Sequence, residues 1–369
     1  MIYLDNGATS FHKPQQVRRA MLDALDHCAN PGRGGYRAAM EAARAVYRCR
    51  ERAGELFGCN PEQVIFTSNC THGLNIAIRT LIKPGSKVAI SGFEHNAVTR
   101  PLHGLGAETV VAGRKLFDWE DTLTSFEDAL KKGVDAAVFT HVSNVFGYVL
   151  PVEQMAAMCR QRGIPFILDA AQSAGMMKVS LKELGAAFIA MPGHKGLLGP
   201  QGTGILLCGD QPKPLILGGT GSESVRQDMP DDLPERMEAG TVNVPGIAGL
   251  GAGLDYLLRE GVEKIGRKER MIAGFCSEEL EKLGVRVFRG AHQAGTVSFL
   301  PHGDCEEFAH HLGKRGIAVR AGLHCAPLAH ESAGTLETGT VRVSFGYNTT
   351  SAEVSAFLRA ATNILAAES

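Results

Sequence analysis

Pro165-Phe166-Ile167-Leu168 runs into Asp169 and, three residues later, Gln172, while Ala187-Phe188-Ile189-Ala190-Met191 is followed by His194-Lys195. Both apolar runs are short and bounded by turn-forming or polar residues, which predicts buried strands rather than helices. Two such strands side by side, each ending in polar side chains, belong in an open α/β sheet whose functional groups gather beyond the carboxyl ends of its strands.

The flanking pattern agrees. Helix-like stretches at residues 14–28 and 37–57 precede further short apolar runs at 64–66, 88–90 and 136–139, with helix-compatible segments between the runs. Alternation of this kind predicts a mostly parallel sheet covered by helices on both faces. A Gly- and Pro-rich stretch at 199–245 and a helix-like segment at 246–259 lead to strands expected near 286–288, 296–299, 317–320 and 341–345. These predict a smaller α+β domain. The expected division is a large domain of residues 14–260, with residues 1–13 and 261–369 forming the small one. There are no internal repeats and no low-complexity tract.

The acid, amide, histidine and lysine at the two strand ends suit one cofactor, pyridoxal 5'-phosphate. Its aldehyde needs an amine, and a partly desolvated lysine such as Lys195 loses its proton readily. Its ring withdraws electrons only while the pyridine nitrogen stays protonated, which a carboxylate such as Asp169 supports. Gln172 would donate to the phenolic oxygen. Taken singly, Asp169 would do as a helix cap and Lys195 as a surface lysine; the combination is what points to the cofactor. Residues 67–73, between a strand and a helix-like run at 74–82, offer first-turn N–H groups and the Thr71 hydroxyl to an anion. No P-loop is present, and Gly249-Leu250-Gly251-Ala252-Gly253-Leu254 lacks both the last glycine and the preceding strand of a dinucleotide fingerprint.

Composition narrows the partners. With 369 residues, a hydrophobic fraction of 44% and 21% charged residues, the chain can bury a large core. The net charge of -1, with dispersed basic residues, gives no electrostatic footprint for nucleic acid or an anionic membrane surface. The first residues lack a basic region and an apolar secretory core, and no apolar run approaches a membrane span, so a cytoplasmic protein is expected. Nine cysteines without C-x-x-C pairs predict reduced thiols. His302-Gly303-Asp304-Cys305 has plausible metal-ligand spacing but no second pair, and is expected to be a solvated loop; no metal is expected.

From Leu4-Asp5-Asn6-Gly7-Ala8-Thr9 to Arg342-Val343-Ser344-Phe345-Gly346-Tyr347-Asn348, spaced motifs resemble the class V aminotransferase group of fold-type I pyridoxal enzymes, and within it the cysteine desulfurases and selenocysteine lyases. The resemblance implies that Lys195 carries the covalent link to the cofactor and that His194 touches its phosphate, with Cys70 and Thr71 in the phosphate loop. It places Asp169 and Gln172 on the ring nitrogen and phenolic oxygen, and stacks His95 on the ring as a candidate proton carrier. Asn144 would contact cofactor or substrate, and Arg342 would pair with the substrate carboxylate. Thr241 matches a threonine lent to the partner subunit's phosphate, which implies a homodimer. Arg320-Ala321-Gly322-Leu323-His324-Cys325-Ala326-Pro327 resembles the short, ordered nucleophile loop, with Cys325 as the attacking thiolate, its pKa lowered by Arg320 or a protonated His324. Conversion of L-cysteine to L-alanine, with a persulfide on Cys325 destined for a thiol or an acceptor protein, is the implied reaction. Alternatives are a selenocysteine lyase or another pyridoxal enzyme of the group, and a non-catalytic sulfur-relay protein with the same fold. Pro192, Asn69 and His72 depart from the family pattern; Asn69 is expected to hold the phosphate-loop turn by tolerating a left-handed backbone.

Overall fold

The computed structural model describes residues 1–32 and 34–368. Its strands in chain order are β1 (Ile2–Tyr3), β2 (Val64–Thr67), β3 (Lys87–Ser91), β4 (Glu108–Ala112), β5 (Ala136–Thr140), β6 (Phe166–Asp169), β7 (Phe188–Pro192), β8 (Gly204–Cys208), β9 (Arg286–Phe288), β10 (Thr296–Leu300), β11 (Ile317–Ala318), β12 (Arg320–Gly322) and β13 (Thr340–Ser344). Seven of them form the central sheet in the order β2-β8-β7-β6-β5-β3-β4. Neighbours are parallel from β7 through β6, β5 and β3 to β4, and β8 runs antiparallel to both β7 and β2.

Strand periodicity explains why the interior strands are apolar throughout. In β5, Ala137 and Phe139 face one core while Ala136 and Val138 face the other, and β6 and β7 divide in the same way: Phe166, Leu168, Ile189 and Met191 on one side, Ile167, Phe188 and Ala190 on the opposite side. Helices cover both faces. Arg37–Phe57, Trp119–Lys131, Val152–Arg162 and Val244–Glu260 contribute to the first core, Cys70–Leu81 and Asn96–Gly104 to the second. A four-stranded antiparallel sheet, β12-β13-β10-β9, packs with Val262–Lys282, Cys305–Lys314 and Ser351–Glu368 around a third core. The amino terminus joins that part: β1 pairs in parallel with β11, and Asp5 bridges Ser344.

Several local expectations change. The stretch 199–245 contains β8, a fully buried sheet strand carried by Ile205-Leu206-Leu207. The edge strand β4 escapes a search for apolar runs because Glu108 and Thr109 are exposed. The stretch 317–320 is two strands belonging to different sheets, divided at Val319. The helix expected from Leu74 begins at Cys70. His302, Gly303 and Asp304 are exposed and outside regular structure, as a solvated loop would be, while Cys305 is buried in the first turn of the helix that follows, where Asp304 accepts from the Glu306 and Glu307 N–H groups. Among the described residues no group of three or more His, Cys, Asp or Glu side chains could hold a metal ion, and no helix is long and apolar enough to cross a membrane.

Candidate active site

A cavity of about 110 Å³ opens beyond the carboxyl ends of the parallel strands, lined among others by Thr71, His95, Asn144, Asp169, His194 and Lys195. Asp169 is the last residue of β6, and only 2% of it is exposed. Its Oδ1 accepts from the Ala171 N–H at 2.9 Å and faces the Cys70 thiol at 3.5 Å. Burial raises its pKa, opposed by the Ala171 bond and the Lys195 charge. Lys195 lies in the loop after β7, half-buried. Burial and the Arg342 charge lower its pKa, against the pull of Asp169, so the amine is prepared to act as a nucleophile.

His95 caps the helix Asn96–Gly104: its Nδ1 accepts the Ala97 N–H at 3.0 Å. Nδ1 is therefore unprotonated, and the proton of the neutral ring sits on Nε2. Burial, reinforced by Lys195 and nearby arginines, brings the His95 pKa down to about 4, so the ring is neutral at pH 7. Gln172 is buried with Nε2 donating to the Gly7 carbonyl at 2.9 Å, which ties the amino-terminal segment to the turn after β6. His194 Nδ1 lies 3.0 Å from the Thr9 hydroxyl, and the Lys13 ammonium donates to the His194 carbonyl at 2.8 Å. At the start of the helix Cys70–Leu81, Asn69 has an extended backbone, φ -174°, and its side chain accepts the His72 N–H. Asn69 thus acts as an N-cap, not as the left-handed turn residue expected from the sequence. The first-turn N–H groups of Cys70 and Thr71 have no acceptor one turn back in the helix and stand at the cavity edge.

Arg342, on β13, is 2% exposed. Its Nη2 donates to Asp5 Oδ1 at 2.6 Å and its Nη1 to the Asn144 carbonyl at 2.9 Å, while Nε has no partner. Nε–H and the second hydrogens of both terminal nitrogens have no acceptor among the described residues, and Arg342 does not line the cavity. Cys325 is the exposed cysteine of the chain, the other eight being buried or half-buried. The expected help from a protonated His324 is not there. That ring is buried, its Nε2 sits 3.1 Å from the Thr340 carbonyl, and its pKa is pushed down to about 2, first by desolvation and then by the Arg342 charge. Thr241 is exposed and does not line the cavity.

This donor set fits pyridoxal phosphate. A buried carboxylate, an amine with a depressed pKa and a neutral imidazole line one cavity, and a helix amino terminus supplies anion-binding N–H groups. Residues 2–357 match the family model for aminotransferase class-V. The chain belongs to the class-V aminotransferases.

Among relatives of this class-V aminotransferase, a probable cysteine desulfurase from Methanothermobacter thermautotrophicus is 33% identical, covering 96% of this chain and 92% of its own. A cysteine desulfurase from Haloferax volcanii is 30% identical over 94% of this chain and 85% of its own. The solved structure of a cysteine desulfurase from Thermococcus onnurineus superposes with a TM-score of 0.91 at 32% identity, covering 99% of this chain and 95% of that one.

Two acids of this class-V aminotransferase escaped the sequence reading. Glu94, fully buried beside His95, accepts from Ser91 N and Oγ and from Thr140 N, and joins the ends of β3 and β5; desolvation lifts its pKa to about 8. Asp5 is the partner of Arg342 from 337 positions away. The adjacency of Glu94 to His95 is a signal that was available; the Asp5–Arg342 pair has none in local sequence.

Proposed function

We propose that this class-V aminotransferase is a pyridoxal-phosphate-dependent cysteine desulfurase that converts L-cysteine to L-alanine and leaves a persulfide on Cys325. The observation that carries the reading is the pairing of an exposed cysteine on a bonded loop with a cavity holding Lys195 and Asp169: the Cys325 carbonyl accepts the Asn96 N–H at 2.8 Å, next to His95. The named relatives support it.

Lys195 and Asp169 would hold the cofactor at its aldehyde and ring nitrogen, Gln172 at its phenolic oxygen, and Cys70, Thr71 and His194 at its phosphate. When bound, pyridoxal phosphate supplies an electron sink that acidifies the substrate α-carbon and loosens the carbon–sulfur bond. Arg342, kept charged by Asp5, would grip the substrate carboxylate. The Lys195 amine, neutral more readily than a free lysine, would take the α-proton and return it. His95 would offer its Nε2–H beside the reacting atoms. Cys325, as thiolate, would attack the substrate sulfur: an S–S bond forms, the C–S bond breaks, and its electron pair stays with the carbon that leaves, after protonation, as alanine. A thiol or an acceptor protein would then collect the outer sulfur. We further propose a homodimer in which the exposed Thr241 serves the partner's site, and a division of the chain into a large domain of residues 14–260 and a small one formed by the rest.

The test is release of alanine and sulfide from L-cysteine by cofactor-loaded protein under a reducing thiol, wild type beside Cys325→Ala. Equal amounts of both products, lost by at least about 100-fold in the variant, support the reading. Wild-type turnover that Cys325→Ala retains would exclude a persulfide on this residue.

A further inference from the structure

His324 and Cys325 adopt φ values of +49° and +58°. Two successive non-glycine residues in the left-handed region are both strained, and such a pair persists only where its surroundings fix it. The turn is closed by the Ala326 N–H on the Leu323 carbonyl at 2.9 Å, and three further bonds anchor it. The Cys325 carbonyl accepts the Asn96 N–H at 2.8 Å, the buried His324 ring lies against Thr340, and the His324 carbonyl accepts Asn144 Nδ2 at 2.8 Å. The first is backbone to backbone and the second belongs to the loop's own side chain. Only the third comes from a side chain that lines the cavity.

We propose that Asn144 is the positioning residue for Cys325, holding the nucleophile loop in its left-handed turn through the His324 carbonyl. This rests on the desulfurase reading for its functional meaning, but its geometry stands apart from it. The amide orientation is fixed by chemistry, since Oδ1 facing a carbonyl would set two acceptors against each other. Asn144 is itself fixed at the main chain, where its carbonyl accepts Arg342 Nη1 at 2.9 Å. The group assigned to the substrate carboxylate and the loop carrying the thiol are therefore joined through one residue: Arg342 holds its carbonyl, and its amide holds His324. Nδ2 has a second hydrogen, so the hold on the loop and a contact with substrate are compatible.

The test uses cofactor-loaded protein and follows alkylation of Cys325 by iodoacetamide without substrate, read by mass spectrometry, together with the bound-cofactor absorbance and separate kcat and KM values for L-cysteine. Asn144→Asp keeps the shape but turns a carboxylate oxygen to the His324 carbonyl. The expected result is a change of at least about fivefold in the Cys325 alkylation rate and a drop of about tenfold in kcat, the scale of one buried hydrogen bond, with the cofactor still bound and the alkylation of the other cysteines unchanged. An alkylation rate within twofold of wild type, with only KM raised, would overturn the proposal and leave Asn144 a substrate contact. Should Asn144→Asp not fold, Asn144→Ser, too short to reach the carbonyl, is read by the same criteria. Wild-type protein that makes no alanine would sink the desulfurase reading instead, while the alkylation rates would still decide what Asn144 does.

Discussion

At the level of single residues, burial sets the charge states and the charge states set the roles. Lys195 and His95 share a cavity and both have lowered pKa values: burial brings His95 to about 4, so its ring is neutral at pH 7, and burial together with the Arg342 charge makes the Lys195 ammonium easier to deprotonate than a free lysine. Lys195→Ala is expected to lose the covalently held cofactor, seen as loss of the visible absorbance on dialysis, and to lower kcat by at least about 1000-fold; retained colour and rate would remove Lys195 from its assigned place. Glu269 shows the same physics in a second cavity that Gln172 and Lys195 also line: 3% exposed, with Oε2 unpartnered, its pKa raised by desolvation to about 8. The folded state then binds more protons than the unfolded chain between the ordinary glutamate value and about 8, so its contribution to stability is full at acid pH and is lost as pH rises through that window. Glu269→Gln should gain on wild type as pH rises, with urea midpoints compared at about pH 5.5 and 8.5 moving in the variant's favour; a difference independent of pH would mean that the acid is not buried neutral. Asp169 and Lys195 were legible because each follows an apolar run and their residue types suit one cofactor. The neutrality of His324 was not, because it comes from burial by segments distant in sequence and from the Arg342 charge, against the opposing pull of the Thr340 carbonyl.

Among the elements, the parallel strands announce themselves and their exceptions do not. An apolar run marks a buried strand but carries no direction, so β8, antiparallel between β7 and β2, was hidden in a stretch dominated by glycine and proline. Helix starts depend on side-chain caps: Asn69 ends the extended chain and starts the helix Cys70–Leu81 four residues before its apolar periodicity becomes visible. The two functional turns are locked to each other by bare backbone. Gly175, φ +89°, and Gly196 approach so closely that a Cβ on Gly175 would lie 2.2 Å from the Gly196 carbonyl oxygen. That contact sets the turn after Gln172 against the loop carrying Lys195. Gly175→Ala should therefore cost at least about 2 kcal/mol in urea unfolding and weaken cofactor retention with it; a variant as stable as wild type would show that the two turns can separate freely.

Across the whole molecule, the site is closed by bringing the two ends of the chain together. β1 pairs with β11, Gly7 receives Gln172, and Asp5 holds Arg342, so the amino-terminal segment lies between the central sheet and the strand that presents the guanidinium. The motif near residue 5 and the motif near residue 342 were both visible in the sequence, but their direct contact was not, because nothing local encodes a pairing across almost the full chain. The layered α/β architecture was legible because strands and helices alternate with distinct periods. The reaction stands on sulfur passing to Cys325, and the most direct measurement is to mix cofactor-loaded protein with L-cysteine without reductant, alkylate, digest and weigh the peptide containing Cys325. The expected result is one additional sulfur between Cys325 and the alkyl group, formed in step with alanine and absent after incubation with L-alanine. Alanine formed with Cys325 unmodified, or the extra sulfur on another cysteine, would contradict it.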